Sequence, residues 1–306
     1  MKDSPYYDYA SFLKRYFVGK VQKISVNAGF SCPNRDGTIG VGGCTYCNNH
    51  AFTPSYTFEG KSVREQIQDG IQFFGKKYPQ MEYLAYFQSF TNTYAPIKKL
   101  LPLYKEALGE KKVVGIVIGT RPDVLPEELL MELSYIAKEK FVMLELGVET
   151  PCDETLRYIH RGHTFQQAVE GIERARRWGL LVGIHIILGL PGEDKESMIS
   201  YARTLSKLPI QTLKLHQLQI IRNTPMQKDW EMYPERYHLF SPEEYLALCM
   251  DFLCNLRGDI CVERFLSSSP VEELIAPKWG IKNYEFVSIL KNRMLSQNLW
   301  QGKFYE

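Results

Sequence analysis

No hydrophobic run in the chain is long enough to cross a bilayer. The longest apolar stretch, Leu180 to Leu190, spans eleven residues and contains His185, whereas a spanning helix needs about 20. A secretory signal is missing too. The opening MKDSPYYDYASFLKRYF is acidic and aromatic instead of basic and then apolar, so the expectation is a cytoplasmic protein that does not engage a membrane. Neither sign of charge dominates. Thirty-seven basic against 35 acidic side chains leave +2, which neither demands nor forbids a nucleic-acid partner. Internal repeats, low-complexity segments and long linkers are absent. Cysteine is sparse and odd in number, at seven. In a reducing compartment that argues against a disulfide framework and raises the weight of ligand or catalytic roles.

What is present builds a core. Of 306 residues, 44% are apolar and 13% aromatic, which excludes disorder and suits one enlarged domain, or a domain with an appendage. Short β-branched runs recur at Val21–Val26, Tyr83–Gln88, Val113–Ile118, Val142–Gly147, Leu181–Leu188 and Leu213–Gln219. Several, such as VVGIVIG, are almost continuously apolar, as strands buried on both faces are. Helix-like segments alternate with them. Residues 62–78 carry the stripe Val63, Ile67, Ile71, Phe74, and residues 164–178 run from a cap-like Thr164 to Arg174, Arg176 and Arg177. Sixfold strand–helix alternation implies a parallel sheet with right-handed crossovers. Six strands fall short of a closed eight-stranded barrel. The expected fold is therefore α/β, an incomplete (β/α)6 TIM-like barrel over residues 1–240, followed by a mostly helical C-terminal extension, residues 241–306, capping it. Within the extension EEYLALCMDFLCNL reads as an amphipathic helix and ICVERFL as strand-like.

The most informative segment follows the first strand: NAGFSCPNRDGTIGVGGCTYCNNH, residues 27–50. It places Cys32, Cys44 and Cys47 at a strand's C-terminal end, the rim where barrel enzymes carry their chemistry. Its five glycines let the backbone turn tightly enough to converge three thiolates on a metal centre. The C-x2-C step serves zinc and iron–sulfur sites alike. Two metal readings compete with incidental thiols: a Cys3His zinc site completed by His50, and a four-iron cluster on three cysteines with one iron left open.

The string SCPNRDGTIGVGGCTYC resembles the radical S-adenosylmethionine (SAM) superfamily, and within it the YtqA/YhcC group, relatives of the elongator radical enzyme without the acetyltransferase domain. The resemblance covers roughly residues 15 to 304. It implies that Cys32, Cys44 and Cys47 bind a [4Fe-4S] cluster, that SAM occupies the fourth iron, and that reductive cleavage yields a deoxyadenosyl radical that abstracts a substrate hydrogen. An odd number of ligands leaves the open site this chemistry needs.

The cofactor's amino acid, ribose and adenine need polar groups at several strand ends. By resemblance, Tyr46 meets the adenine through its backbone, although its ring could simply pack. Gln88, Ser89 and Thr91 stand where related enzymes hold the methionine amino group; the alternative is an ordinary polar strand end. Arg121 and Asp123 either contact cofactor or substrate or pair with each other. Glu145 and Glu149 lie along an apolar strand, and burying either unpaired costs several kcal/mol, so each requires a partner. Relatives often carry glutamine where Glu149 stands. Arg161 resembles the arginine that pairs with the cofactor carboxylate, flanked by His160 and His163. Gly189 and Gly192 look like the adenine-side turn, beside Glu193, which could cap the following helix instead. Lys214 and His216 alternate in step and share a face; with Cys152 they are the candidates for catalytic groups. Cys249, Cys254 and Cys261 are spaced for a second cluster, but helix-core packing is the commoner use.

No residue names the substrate. The tail, residues 275–306, interleaves Lys278, Lys282, Lys291, Arg293 and Lys303 with Trp279, Tyr284, Trp300 and Phe304. That mixture suits loop RNA rather than duplex DNA, and equally an amphipathic cap with its aromatics inside. Resemblance implies a tRNA substrate: carboxymethylaminomethyl to aminomethyl conversion on the wobble uridine, with flavodoxin or ferredoxin as reductant. A radical enzyme acting on a small metabolite or a protein is the alternative, and a non-catalytic iron–sulfur or zinc module is the alternative of another class.

Overall fold

The apolar β-branched runs form strands. The computed structural model describes residues 4–48, 57, 60–75 and 78–305. Its strands are β1 (Val21–Val26), β2 (Glu82–Phe87), β3 (Val113–Thr120), β4 (Phe141–Glu149), β5 (Leu181–Leu188), β6 (Thr212–Gln217), β7 (Ile220–Ile221), β8 (Cys261–Arg264) and β9 (Leu274–Ala276). The helices are α1 (Tyr9–Leu13), α2 (Val63–Gly75), α3 (Ile97–Leu108), α4 (Glu127–Ile136), α5 (Asp153–Tyr158), α6 (Phe165–Arg177), α7 (Lys195–Ser206), α8 (Pro225–Met232), α9 (Pro242–Asn255) and α10 (Asn283–Ser296).

Strands β1 to β6 pair in sequence order, all parallel. The strand-like ICVERFL supplies a seventh, β8, parallel to β6. The result is the expected incomplete barrel: an open α/β sheet, strongly curled. The curl is visible in side chains. Lys23 on β1 and Glu263 on β8 stand at opposite edges of the sheet, yet Lys23 Nζ lies 2.7 Å from Glu263 Oε1. The run expected as one strand to Gln219 breaks after Gln217, and β7 leaves to pair antiparallel with β9.

Helices cover the convex face. The stripe in α6 buries Ala168, Ile172 and Ala175, and an aliphatic residue such as Ile172 gains roughly 1.5–3 kcal/mol from full burial. The Thr164 and Gln167 side chains form a capping box at its start, and three arginines complement the dipole in its last turn. Ser241 and Glu244 do the same at the start of α9, with Pro242 in the first turn. Cys249 and Cys254 face the core from α9, while Cys261 is buried on the sheet's other side, inside the curl. These three thiols therefore share no site. Inside the curl, at the N-terminal ends of the strands, α1 inserts Phe12 and Leu13 against Leu84, Val117, Phe141 and Met143. That plug closes one end and leaves the other open. Among the described residues, no helix is long and apolar enough to cross a membrane.

Candidate active site

The loop after β1 folds on itself. Cys32 carbonyl accepts from the Arg35 and Asp36 amides, and Cys44 carbonyl from the Cys47 amide. Gly43 (φ +93°) takes a left-handed turn where a Cβ would lie 2.9 Å from Arg35 Nε, so a larger residue would both strain the backbone and push Arg35 away. Buried Asn34 ties the loop down by donating from Nδ2 to the His160 carbonyl (2.6 Å) and to Cys44 Sγ (3.4 Å). Arg161 Nη1 donates to the same sulfur at 3.6 Å. Cys32, Cys44 and Cys47 all line one cleft of about 950 Å³ at the open end of the barrel. No disulfide involves them.

Arg161 is the hub of the upper cleft. Its Nη2 donates to the Gly147 carbonyl (2.5 Å) and lies 3.4 Å from Glu149 Oε1. Arg121, fully buried, grips Asp123 with two donors (3.0 and 2.9 Å) and donates a third bond to the Arg161 carbonyl (2.8 Å). Arg121 thus positions Arg161 as well as lining the cleft. Three of the five described non-glycine residues with positive φ surround this centre: Phe90 (62°), Glu149 (71°) and His160 (52°). Each such conformation costs of order 1–3 kcal/mol and persists where neighbours over-determine it. At Glu149 it coincides with a register shift between β4 and β5, which turns the carboxylate towards Arg161. Gly147 completes the cradle: a Cβ there would meet Glu149 Oε1 at 2.5 Å and Arg161 Nη2 at 2.7 Å.

Below lies a charged layer. Glu145, about 1% exposed, is held by Lys23, by Lys214 (2.6 Å) and by His185 (3.1 Å). Burial works against its charge, but Lys214, Lys23 and His185 hold its carboxyl well below the usual range. Glu263 pairs with Lys23 and, at 3.3 Å, with Lys214. Burial lowers the Lys214 pKa against the pull of both carboxylates. His216 stands above, its Nδ1 2.9 Å from Ser267 Oγ. Burial, then His185, Arg264 and Lys214, push its pKa well below the ordinary value, so the ring is neutral at pH 7.

Most sequence candidates meet here. Tyr46, Gln88, Ser89, Thr91, Arg121, Glu149, Arg161, Lys214 and His216 line the same cleft as the three cysteines. Gln88 accepts from Ser25 Oγ (2.9 Å), and Lys214 and His216 both point inward. Cys152, Gly189 and Gly192 are not among the lining residues. Cys152 precedes α5 and packs on the outer core, and Gly189 lies against Phe240, on the extension side of its turn. Glu193 caps no helix; Asp194 does, and Glu193 accepts from Thr150 Oγ1 (2.5 Å). His163 is buried behind Arg161, its pKa pushed down to about 4 chiefly by burial. His50 lies outside the described residues. Among the described residues of the tail only Asn283 reaches the cleft. Trp279 donates to the Phe240 carbonyl, Lys291 pairs with Asp8 and Arg293 with Glu243, all structural uses. Sequence reasoning missed Lys23, His185, Glu263 and Arg264. Their signal was a charged or imidazole side chain inside a strand whose neighbours are apolar.

The donor set distinguishes the metal readings. Among the described residues no three His, Cys, Asp or Glu side chains stand close enough to hold one ion. Three thiols on one cleft but apart suit a polynuclear cluster, in which each sulfur binds a different iron. Burial and nearby Cys44 push the Cys47 thiol up to about 11, so metal binding must displace its proton. A nucleotide-like cofactor also fits: Arg161 Nε is buried with no hydrogen-bond partner among the described residues, beside the Gly147 cradle.

A curled parallel half-barrel carrying three such thiols on its first loop defines the radical SAM class. The model of the radical SAM superfamily matches residues 32–205 and that of the Radical_SAM C-terminal domain residues 210–296; the chain belongs to this superfamily. Its cofactors are a [4Fe-4S] cluster and SAM. More particularly it falls in the YtqA/YhcC group. It is 34% identical to YtqA of Bacillus subtilis over 96% of this chain and 91% of that one. It is 35% identical to YhcC of Escherichia coli K12 over 87% and 85%. A shorter match, 28% identity over 40% of this chain, is to the tRNA uridine(34) acetyltransferase of Methanocaldococcus jannaschii, 23% of which is covered. Among solved structures, Elp3 of Methanocaldococcus infernus superposes with TM-score 0.67 at 16% identity over 93% of this chain and 65% of that one.

Proposed function

We propose that this radical SAM enzyme modifies the wobble uridine of tRNA, converting a carboxymethylaminomethyl side chain to aminomethyl, with flavodoxin or ferredoxin as electron donor. The observation that carries the reading is a cleft that continues from the thiolate loop down to a buried layer of ionic groups. An electron carrier has no use for that depth, whereas an enzyme needs it to hold cofactor and substrate together. The match to a tRNA uridine(34) enzyme supports the nucleic-acid half of the reading.

When bound, the cluster and SAM supply one-electron cleavage of a sulfonium and hence hydrogen abstraction. The chain's own residues do the rest. Cys32, Cys44 and Cys47 hold the cluster, and Asn34 and Arg161 donate to Cys44 Sγ, which stabilises the thiolate. Arg161, set by Arg121 and Glu149, presents to a carboxylate its Nε, which has no partner among the described residues. Gln88, Ser89 and Thr91 take the cofactor's amino group, and Tyr46 lies beside its adenine. Lys214 and His216 face the substrate. Phe73, 68% exposed on the cleft wall, gives a base a surface to stack on.

Two measurements test this. Protein purified without oxygen and reduced with dithionite should turn SAM into deoxyadenosine and methionine. Deleting the gene should change the wobble-uridine nucleosides seen by mass spectrometry of total tRNA. An unaltered nucleoside profile alongside active SAM cleavage would reject the tRNA substrate and keep the radical assignment.

A further inference from the structure

Strand β8 has one residue too many. Its partners on β6 run Thr212 with Cys261, Leu213 with Val262, then Lys214 with Arg264, so Glu263 is the extra residue of a bulge. In a regular strand consecutive side chains point to opposite faces. Here the bulge aims both Glu263 and Arg264 into the cleft. Bulges beside active sites commonly re-aim a side chain in this way, and they are rare between parallel strands.

Both residues have capacity to spare. The Glu263 side chain is only 10% exposed; Oε1 takes Lys23 and Lys214, but Oε2 is buried with no hydrogen-bond partner among the described residues. A buried carboxylate oxygen left without a donor forfeits its hydration with nothing in exchange. The other cations of the cleft are paired: Arg35 with the Cys47 carbonyl, Arg121 with Asp123, Arg161 with Glu149, Lys23 and Lys214 with Glu145, and the open Nε of Arg161 is the one given above to the cofactor carboxylate. Arg264, exposed at the rim, has no ion pair among the described residues, although it lies near enough to lower the pKa of Lys214 and His216. The cleft therefore offers, on adjacent residues, one acceptor waiting for a cation and one cation waiting for an anion.

We propose that the β8 bulge is the substrate-recognition subsite, and that it takes a secondary ammonium and a carboxylate separated by one carbon, an N-substituted glycine. The ammonium donates to Glu263 Oε2, and the carboxylate accepts from the Arg264 guanidinium. This rests on the function proposed above, in which that group is the carboxymethylaminomethyl side chain.

The test uses cluster-loaded protein without oxygen and two pairs of probes. One pair is an anticodon stem-loop RNA bearing carboxymethylaminomethyluridine and the same RNA bearing its carboxamide. The other is N-methylglycine and its amide. The acid of each pair should bind about tenfold or more tightly than the amide. Arg264→Gln should shrink that ratio to below about twofold and Arg264→Lys should restore part of it, a pattern that a merely structural arginine would not produce. Equal binding of acid and amide RNA by the unaltered protein overturns the subsite and leaves the tRNA reading standing. Failure of either RNA to bind, with an Arg264-dependent preference for N-methylglycine over its amide, overturns the tRNA reading and supports the subsite. No preference in either pair overturns the subsite.

Discussion

Glu145 is the residue on which the interior depends, and Glu145→Gln is the perturbation that measures it. The carboxylate is about 1% exposed and faces Lys23, Lys214 and His185. The glutamine keeps the shape and removes the charge. Lys23 and Lys214, about 12% and 7% exposed, are left to share Glu263. Removing one partner of a buried ionic group costs about 3–5 kcal/mol, because the remaining charge is stranded away from water. In a chain of 306 residues that lowers the melting temperature by roughly 5–8 °C. Calorimetry of the protein, alone and with Lys214→Met added, reads both the loss and its cause. If charge stranding is responsible, the double variant should be more stable than the sum of the two single losses by about 1 kcal/mol or more. The pH dependence follows from the direction of the shift. Glu145 is held below its unfolded value, so its contribution is full above about pH 4.5 and is lost as the pH falls through its folded pKa. A Glu145→Gln protein melting within about 1 °C of the parent, against the stranding cost above, would refute the reasoning.

Three further outcomes are expected. Cys44→Ala should lose most of the bound iron and all deoxyadenosine formation above background, whereas Cys254→Ala, a core residue, should keep its iron; equal iron in both would displace the cluster from the loop. Gly147→Ala should raise the KM for SAM about tenfold or more while melting close to the parent, since its Cβ pushes on Arg161 and Glu149; an unchanged KM would separate Arg161 from cofactor binding. Burial raises the Glu193 pKa to about 7, so the folded state holds its proton longer than the unfolded chain does. Stability should therefore fall by about 3 kcal/mol as the pH rises from 4.5 to 7, and Glu193→Gln should flatten that slope in urea titrations at stepped pH.

The order of strands, the class of fold and the three cysteines proposed to hold the cluster were legible in the chain because each is a local signal. Apolar β-branched runs such as VVGIVIG read as buried strand, and the spacing of Cys32, Cys44 and Cys47 marks them as candidate ligands, which resemblance narrows to a four-iron cluster. Even Lys214 and His216 could be paired on one face from their alternation. Other features depend on residues far apart in sequence meeting in space. Cys152 sits next to a strand end, but α5 carries it onto the outer core. Arg121 and Asp123 left two readings open, and only the Arg161 carbonyl beside them showed that Arg121 positions Arg161. Trp279 and Lys291 have the composition of an RNA surface and are spent on packing. Lys23 and Glu263 are 240 residues apart, and nothing local predicts that curling the sheet brings its two edges within a hydrogen bond. The same is true of Arg264. Period-two alternation sends it away from Glu263, and only pairing with β6, with one residue squeezed out of register, turns both charges to the same side. Sequence sets which groups are available because composition and periodicity act over a few residues; the curl and the bulge decide which of them meet, because those are properties of the whole sheet.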